Sequence, residues 1–214
     1  MRFSKEIKYY LLFLAAILPV FLIDQSVTLW FREFRNANPD ITQILKYIDR
    51  AAYYAAHGTP LIGGALLIYL FGRYYDRQWT MQFGRTLLIG FISAGVSVQV
   101  IKHILGRARP RITDQLLFIG PAFRGSYDSF PSGHAAMAFC LAYICSGYFP
   151  RYRALFYLYG LFVCFGRVDS ASHFPADVLG GALLGVIVAR IIEKRFGMQG
   201  TEKPAFRRKT EHAE

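Results

Sequence analysis

Three short clusters in this chain hold residue types that could together do phosphate-ester chemistry: Lys102-x6-Arg109-Pro110, Pro131-Ser132-Gly133-His134 and Arg167-x5-His173-x3-Asp177. A phosphate spreads its charge over several oxygens, so holding one without a metal takes several fixed cations and backbone donors. Lys102 offers a compact ammonium, while Arg109 and Arg167 offer planar forks that match phosphate oxygens in pairs. Pro131-Ser132-Gly133-His134 reads as a helix start, where proline is tolerated and the N–H groups of Ser132 and Gly133 are free to seat an anion. Gly133 also lets the backbone approach a ligand closely. His173 and Asp177 stand four apart at the start of a helix with Pro175 in its first turn. That spacing puts them on one face, so the carboxylate can hold one imidazole nitrogen and leave the other free to attack phosphorus. His134 is the second histidine, placed to protonate a leaving alcohol and later to activate water.

Elements that could position these clusters are apolar. The chain has 214 residues, 54% hydrophobic and 16% aromatic, and its apolar runs are too long for the core helices of a soluble domain. Crossing a bilayer takes about 20 mostly apolar residues. Six runs qualify, roughly 9–31, 52–72, 86–105, 131–149, 153–169 and 174–193. These predict an all-α, integral-membrane bundle of six transmembrane helices over 1–197, with 198–214 a disordered cytoplasmic tail. Arg2, Lys5 and Lys8 before the first run, with no small-x-small cleavage site after it, predict a retained signal-anchor. Segment 32–51 reads as a polar outer loop with an amphipathic stretch along the interface, carried by Ile41, Ile44, Leu45 and Ile48. Residues 106–130, with Gly106, Pro110, Gly120, Pro121 and Gly125, read as a long loop.

Charge orients the bundle. The net charge is +11, yet no basic stripe interleaved with exposed aromatics is visible, which argues against nucleic acid as a partner. With the N-terminus in the cytoplasm, Lys and Arg concentrate in the cytoplasmic segments, and much of the outer remainder belongs to the three clusters. The ends of the third and fourth runs and the connection 167–173 then share one extracytoplasmic surface. Cys140, Cys145 and Cys164 fall within apolar runs, without metal-ligand spacing, and read as inert thiols. Gly181 and Gly185 form a small-xxx-small step suited to close helix packing.

These motifs resemble the three-part signature of the type 2 phosphatidic acid phosphatase superfamily, K-x6-R-P, P-S-G-H and S-R-x5-H-x3-D, which also includes vanadium haloperoxidases. The resemblance covers about residues 86–193, and it departs at Gly166, where the family has a serine whose hydroxyl is expected near the phosphate. It implies a metal-independent, cofactor-free reaction in two steps. His173 is the nucleophile, His134 the acid and base, Asp177 the support of His173, and Lys102, Arg109, Arg167, Ser132 and Gly133 hold the phosphate. Arg107, Arg111 and Arg124 are candidates for reading a further anionic group. Expected substrates are membrane lipid phosphates: undecaprenyl diphosphate, phosphatidylglycerol phosphate, phosphatidic acid or a lipid A phosphate. The expected location is the plasma (inner) membrane, with both termini cytoplasmic and the site on the periplasmic or extracellular side. A lipid-to-lipid phosphotransferase and a non-catalytic lipid-binding or transport protein are the alternatives.

Overall fold

A computed structural model describes residues 15–196, and among these, prolines and glycines help to set apart seven bounded α-helices. They are α1 (Val20–Ala37), α2 (Pro39–Ala55), α3 (Gly58–Tyr74), α4 (Gln78–Leu105), α5 (Gly133–Tyr148), α6 (Arg153–Asp169) and α7 (Pro175–Phe196), with a 3-10 turn at Pro150–Tyr152. Pro39 takes the first position of α2, where its missing N–H costs nothing. Pro60 explains the next break, because its ring would clash with the carbonyl of Ala56 in a continuous helix. α2 and α3 therefore meet at an angle of 44°, with His57 in an extended conformation between them.

α4, α5 and α7 form the heart of the bundle, and α3 lies against α4. Phe91, Ala94, Cys140, Ile144 and Ala189 are buried where they meet. The α5–α7 contact is nearly backbone to backbone: a Cβ on Gly181 would lie 2.3 Å from the Ser132 carbonyl oxygen, and one on Gly185 2.2 Å from that of Ala136. The small-xxx-small step of the last helix is thus used for packing. α1, α2 and α6 are joined differently. Arg35 of α1 donates to both Asp49 of α2 and Asp169 of α6, and Tyr159 of α6 donates to the Ala55 carbonyl at 2.7 Å.

α4 and α7 are each long and apolar enough to cross a membrane, and the bent pair α2–α3 qualifies when taken together. At 28 residues, α4 is about 42 Å long at 1.5 Å per residue, more than the hydrocarbon core. These helices make the chain an integral membrane protein. The expected run 52–72 is not one helix, for the reason Pro60 supplies. The expected outer loop 32–51 is largely helical, as the end of α1 and most of α2. Ile41 and Ile44 of its amphipathic stretch are exposed, and α2 packs instead through Ala52 and Asp49. The expected anchor helix lies partly, and the tail wholly, outside the described residues.

At Gly166, α6 lies tight against α2. A Cβ there would sit 2.5 Å from the Cβ of Ala52, so the serine of the signature does not fit against α2 as it now lies. Gly166→Ser is expected to lower the thermal midpoint in detergent, by the equivalent of about 1–3 kcal/mol for an overpacked contact. Adding Ala52→Gly is expected to restore much of the loss, checked by comparing the single and double variants in one thermal series.

Candidate active site

The cationic end of α4 is turned back on the bundle by a single glycine. Gly106 adopts φ +58° and donates its N–H to the Lys102 carbonyl, and a Cβ on it would lie 2.0 Å from the Gly120 carbonyl oxygen. Only glycine takes this left-handed turn with so close a neighbour. The following loop is held by its own backbone: Ala108 donates to Leu117, Ile119 to Gly106, Arg109 to Ser126 and Ser129 to Arg107. It thus carries Arg109 and Arg111 over the same hollow that Lys102 reaches from α4.

α5 begins there too. Ser132 is its N-cap, with the side-chain oxygen accepting from Ala135 N–H at 3.5 Å, and Gly133 and His134 form its first turn. α6 delivers Arg167 near its C-terminal end. Beyond it the Arg167 carbonyl accepts N–H bonds from both Ser172 and His173, each at 3.1 Å, which folds His173 back beneath the arginine.

The result is a cavity of about 480 Å³. Its wall carries four cations, Lys102, Arg109, Arg111 and Arg167, and three histidines, His57, His134 and His173, together with Gly133 and Ser172. Tyr53, Gln99 and Met137 complete much of the rest. Arg111 donates to the Ser172 hydroxyl at 2.6 Å. Arg167 donates to Ser170 at 2.9 Å and reaches Ser172 at 3.5 Å, with the Tyr53 ring 5.4 Å from its guanidinium carbon. The Tyr53 ring also lies 4.9 Å from that of His134. Nε2 of His134 is buried with no hydrogen-bond partner among the described residues.

Asp177 lies behind His173, fully buried. One oxygen accepts from Arg107. The other accepts from the Ser129 hydroxyl and from Phe174 N–H, the latter at 2.8 Å. As the third residue of α7 reaching back to the N–H before the helix, it also caps that helix. His173 Nδ1 stands 3.6 Å from Asp177 Oδ2, an ion-pair distance longer than a hydrogen bond. That orientation leaves Nε2 as the nitrogen free to react. Burial drives the His173 pKa down to about 4, against the opposing pull of the Asp177 carboxylate, so the ring is neutral at physiological pH.

Arg107 is held through both terminal nitrogens, while its buried Nε has no hydrogen-bond partner among the described residues. Besides Asp177 it donates to Asp24 of α1 at 2.6 Å, and Asp24 accepts Ala176 N–H at 2.8 Å. The rings of Phe174, Phe21 and Phe118 lie 4.3, 4.8 and 5.5 Å from its guanidinium carbon. Asp128, on the same loop as Arg107, pairs with two of the cavity cations. It accepts two bonds from Arg109, at 2.7 and 2.9 Å, and lies 3.6 Å from Lys102 Nζ. Burial raises its pKa, but the Arg109 fork and the Lys102 charge more than offset this and hold the carboxyl below its usual range.

Of the residues expected from sequence, Lys102, Arg109, Arg111, Gly133, His134, Arg167 and His173 line one cavity, with Asp177 directly behind it. Three others are placed elsewhere. Ser132 N–H is not free to seat an anion, because it donates to the Asp177 carbonyl at 2.9 Å. Arg107 does not face the cavity; it is fully buried between two carboxylates. Arg124 is exposed and lies outside the cavity wall. Sequence reading did not place Tyr53, His57, Gln99 or Ser172 on the cavity wall, nor the loop carboxylate Asp128 beside it. The break at Pro60 was the available signal that His57 could face inward.

Residues 83–199 match the family model described as the PAP2 superfamily. The chain belongs to this superfamily. A lipid A 1-phosphatase of Rhizobium johnstonii is 30% identical over 121 residues, 54% of this chain and 50% of that protein. An undecaprenyl-diphosphatase of Sulfolobus acidocaldarius is 31% identical over 111 residues, 50% of this chain and 52% of that protein. The chain spans about half the length of these curated relatives. The crystal structure of a transmembrane PAP2-type phosphatidylglycerolphosphate phosphatase from Bacillus subtilis superposes with a TM-score of 0.64 at 23% identity, covering 92% of this chain and 96% of that one. It shares the fold.

Removing Arg107 would strand two buried carboxylates. Arg107→Ala is expected to destabilise the protein by about 3–5 kcal/mol, read as a large fall in thermal midpoint in detergent. Arg124→Ala, on the exposed part of the loop, is expected to stay within about 0.5 kcal/mol of wild type in the same assay.

Proposed function

We propose that this chain is a membrane lipid phosphate phosphatase that works through a phosphohistidine on His173. The observation that carries the reading is one cavity with four cations on its wall and both histidines, one of them backed by a buried carboxylate. His173 Nε2 attacks phosphorus, the bond from phosphorus to the lipid oxygen breaks, and His134 delivers a proton to that oxygen. Water then attacks the phosphohistidine as His134 takes its proton, the phosphorus–nitrogen bond breaks, and phosphate leaves. Lys102, Arg109 and Arg167, with the Gly133 backbone, hold the equatorial oxygens as charge shifts onto them. Asp177 steadies the charge that builds on His173.

The chemistry needs no Lewis acid, since the fixed cations meet the charge that a metal would otherwise neutralise. The lipid A, undecaprenyl and phosphatidylglycerol phosphate chemistries named for relatives share a phosphate at the membrane interface, and we take that shared group as the substrate class. Arg111, beside Ser172 at the cavity wall, suits a second anionic group such as the distal phosphate of a diphosphate. The excess of cations in the cytoplasmic segments of the six-span arrangement supports a site on the extracytoplasmic side, with both termini in the cytoplasm.

A panel of purified lipid phosphates at matched detergent fraction tests the reading. Release of free phosphate from at least one member is expected, and it should survive EDTA. His173→Ala is expected to lower release by about 10³-fold or more, as for loss of a covalent nucleophile. With a labelled donor, label in free phosphate supports hydrolysis, and label in a second lipid would make the protein a transferase. Phosphate release unchanged by His173→Ala overturns the mechanism.

A further inference from the structure

Asp128 is unlike the other paired carboxylates of the site. Asp177 and Asp169 have fully buried side chains, sealed in ion pairs behind the wall. The Asp128 side chain remains 31% exposed, and it holds two of the cavity cations at once: Arg109 through both oxygens, and Lys102 at 3.6 Å. A planar carboxylate on the arginine fork presents the same paired oxygens that a phosphate would. Arg111 and Arg167 are held by serine hydroxyls instead. A ligand that uses the Arg109 fork therefore meets a charged competitor on that fork. The neighbouring residue, Ser129, is tied to Asp177, which fixes the competitor's distance from the cavity.

We propose that Asp128 is a charge filter for the anion seat, a specificity-determining residue that gives up Arg109 and Lys102 only to a ligand of at least two negative charges. This rests on the phosphate-binding reading given above. A phosphomonoester dianion or a diphosphate repays the lost carboxylate pairing through Lys102, Arg109, Arg111 and Arg167 together. A monoanionic phosphodiester, the group that links most membrane phospholipid headgroups, does not, and so the surrounding bilayer cannot fill the site. After the reaction Asp128 recaptures Arg109 and helps expel inorganic phosphate.

The test uses full-length protein in detergent, with the best substrate of the lipid panel and the dephosphorylated lipid as the measured product. Inorganic phosphate and dimethyl phosphate are the two competing probes. Wild-type protein is expected to be inhibited by inorganic phosphate and not by dimethyl phosphate at the same concentration. In Asp128→Asn the inhibition constant for inorganic phosphate is expected to fall about tenfold, with KM falling alongside, and dimethyl phosphate is expected to become an inhibitor. An unchanged or raised phosphate inhibition constant in the variant overturns the filter and leaves Asp128 as a positioning residue for Arg109. If the variant fails to fold, the wild-type arms decide: equal inhibition by the two probes overturns the proposal, and discrimination between them supports it. Wild-type protein that releases phosphate from no lipid in the panel overturns the functional reading itself, and this inference with it.

Discussion

The buried pairing of Arg107 with Asp24 and Asp177 is the interaction on which the rest of the site depends. Taking three charges out of water is costly, and it is tolerated here because each carboxylate oxygen and both terminal guanidinium nitrogens have partners. The arrangement joins α1, the loop 106–130 and the start of α7 at a single point. It also fixes the ionised carboxylate that faces His173. The neighbouring aromatic rings add attraction for the cation and keep water from competing for the pair.

A division follows between carboxylates that build the scaffold and one that pairs with cations of the cavity wall. Asp24, Asp169 and Asp177 pair with arginines away from solvent, so their charge shapes the scaffold. Asp128 pairs at the edge, where an incoming anion can compete. The Arg35 bridge repeats the first pattern, tying α1 to α2 and α6. Both bridges involve α1, which contributes no residue to the cavity wall.

Much of the site was legible in the sequence because its cations and histidines sit at motif spacings that geometry must honour. Lys102 and Arg109 flank a helix end that Gly106 announces, and the His173–Asp177 separation spans one helical turn. Other parts were not legible. Arg107 looked like the neighbouring arginines, and only its three-dimensional partners, far away in sequence, make it structural. The Ser132 N–H looked free because its acceptor is the carbonyl of a residue 45 positions later, brought close by the bare backbone at Gly181. How α2 packs was not legible, since it holds through Ala52 and an ion pair while Ile41 and Ile44 face outward. Hydrophobic periodicity marks the apolar face of such a helix and does not report contacts made through a small residue and a charge.

The bend at Ala56–His57 has a consequence for how such a protein can diverge. It brings Tyr53, His57 and Gly58 to the cavity from α2 and α3, whereas the groups assigned to the chemistry come from α4 through α7 and the loop between α4 and α5. One wall is therefore bound by motif spacing, and the facing wall is bound only by packing against it. Sequence drift in the second can reshape what the cavity admits while the reacting atoms stay where they are.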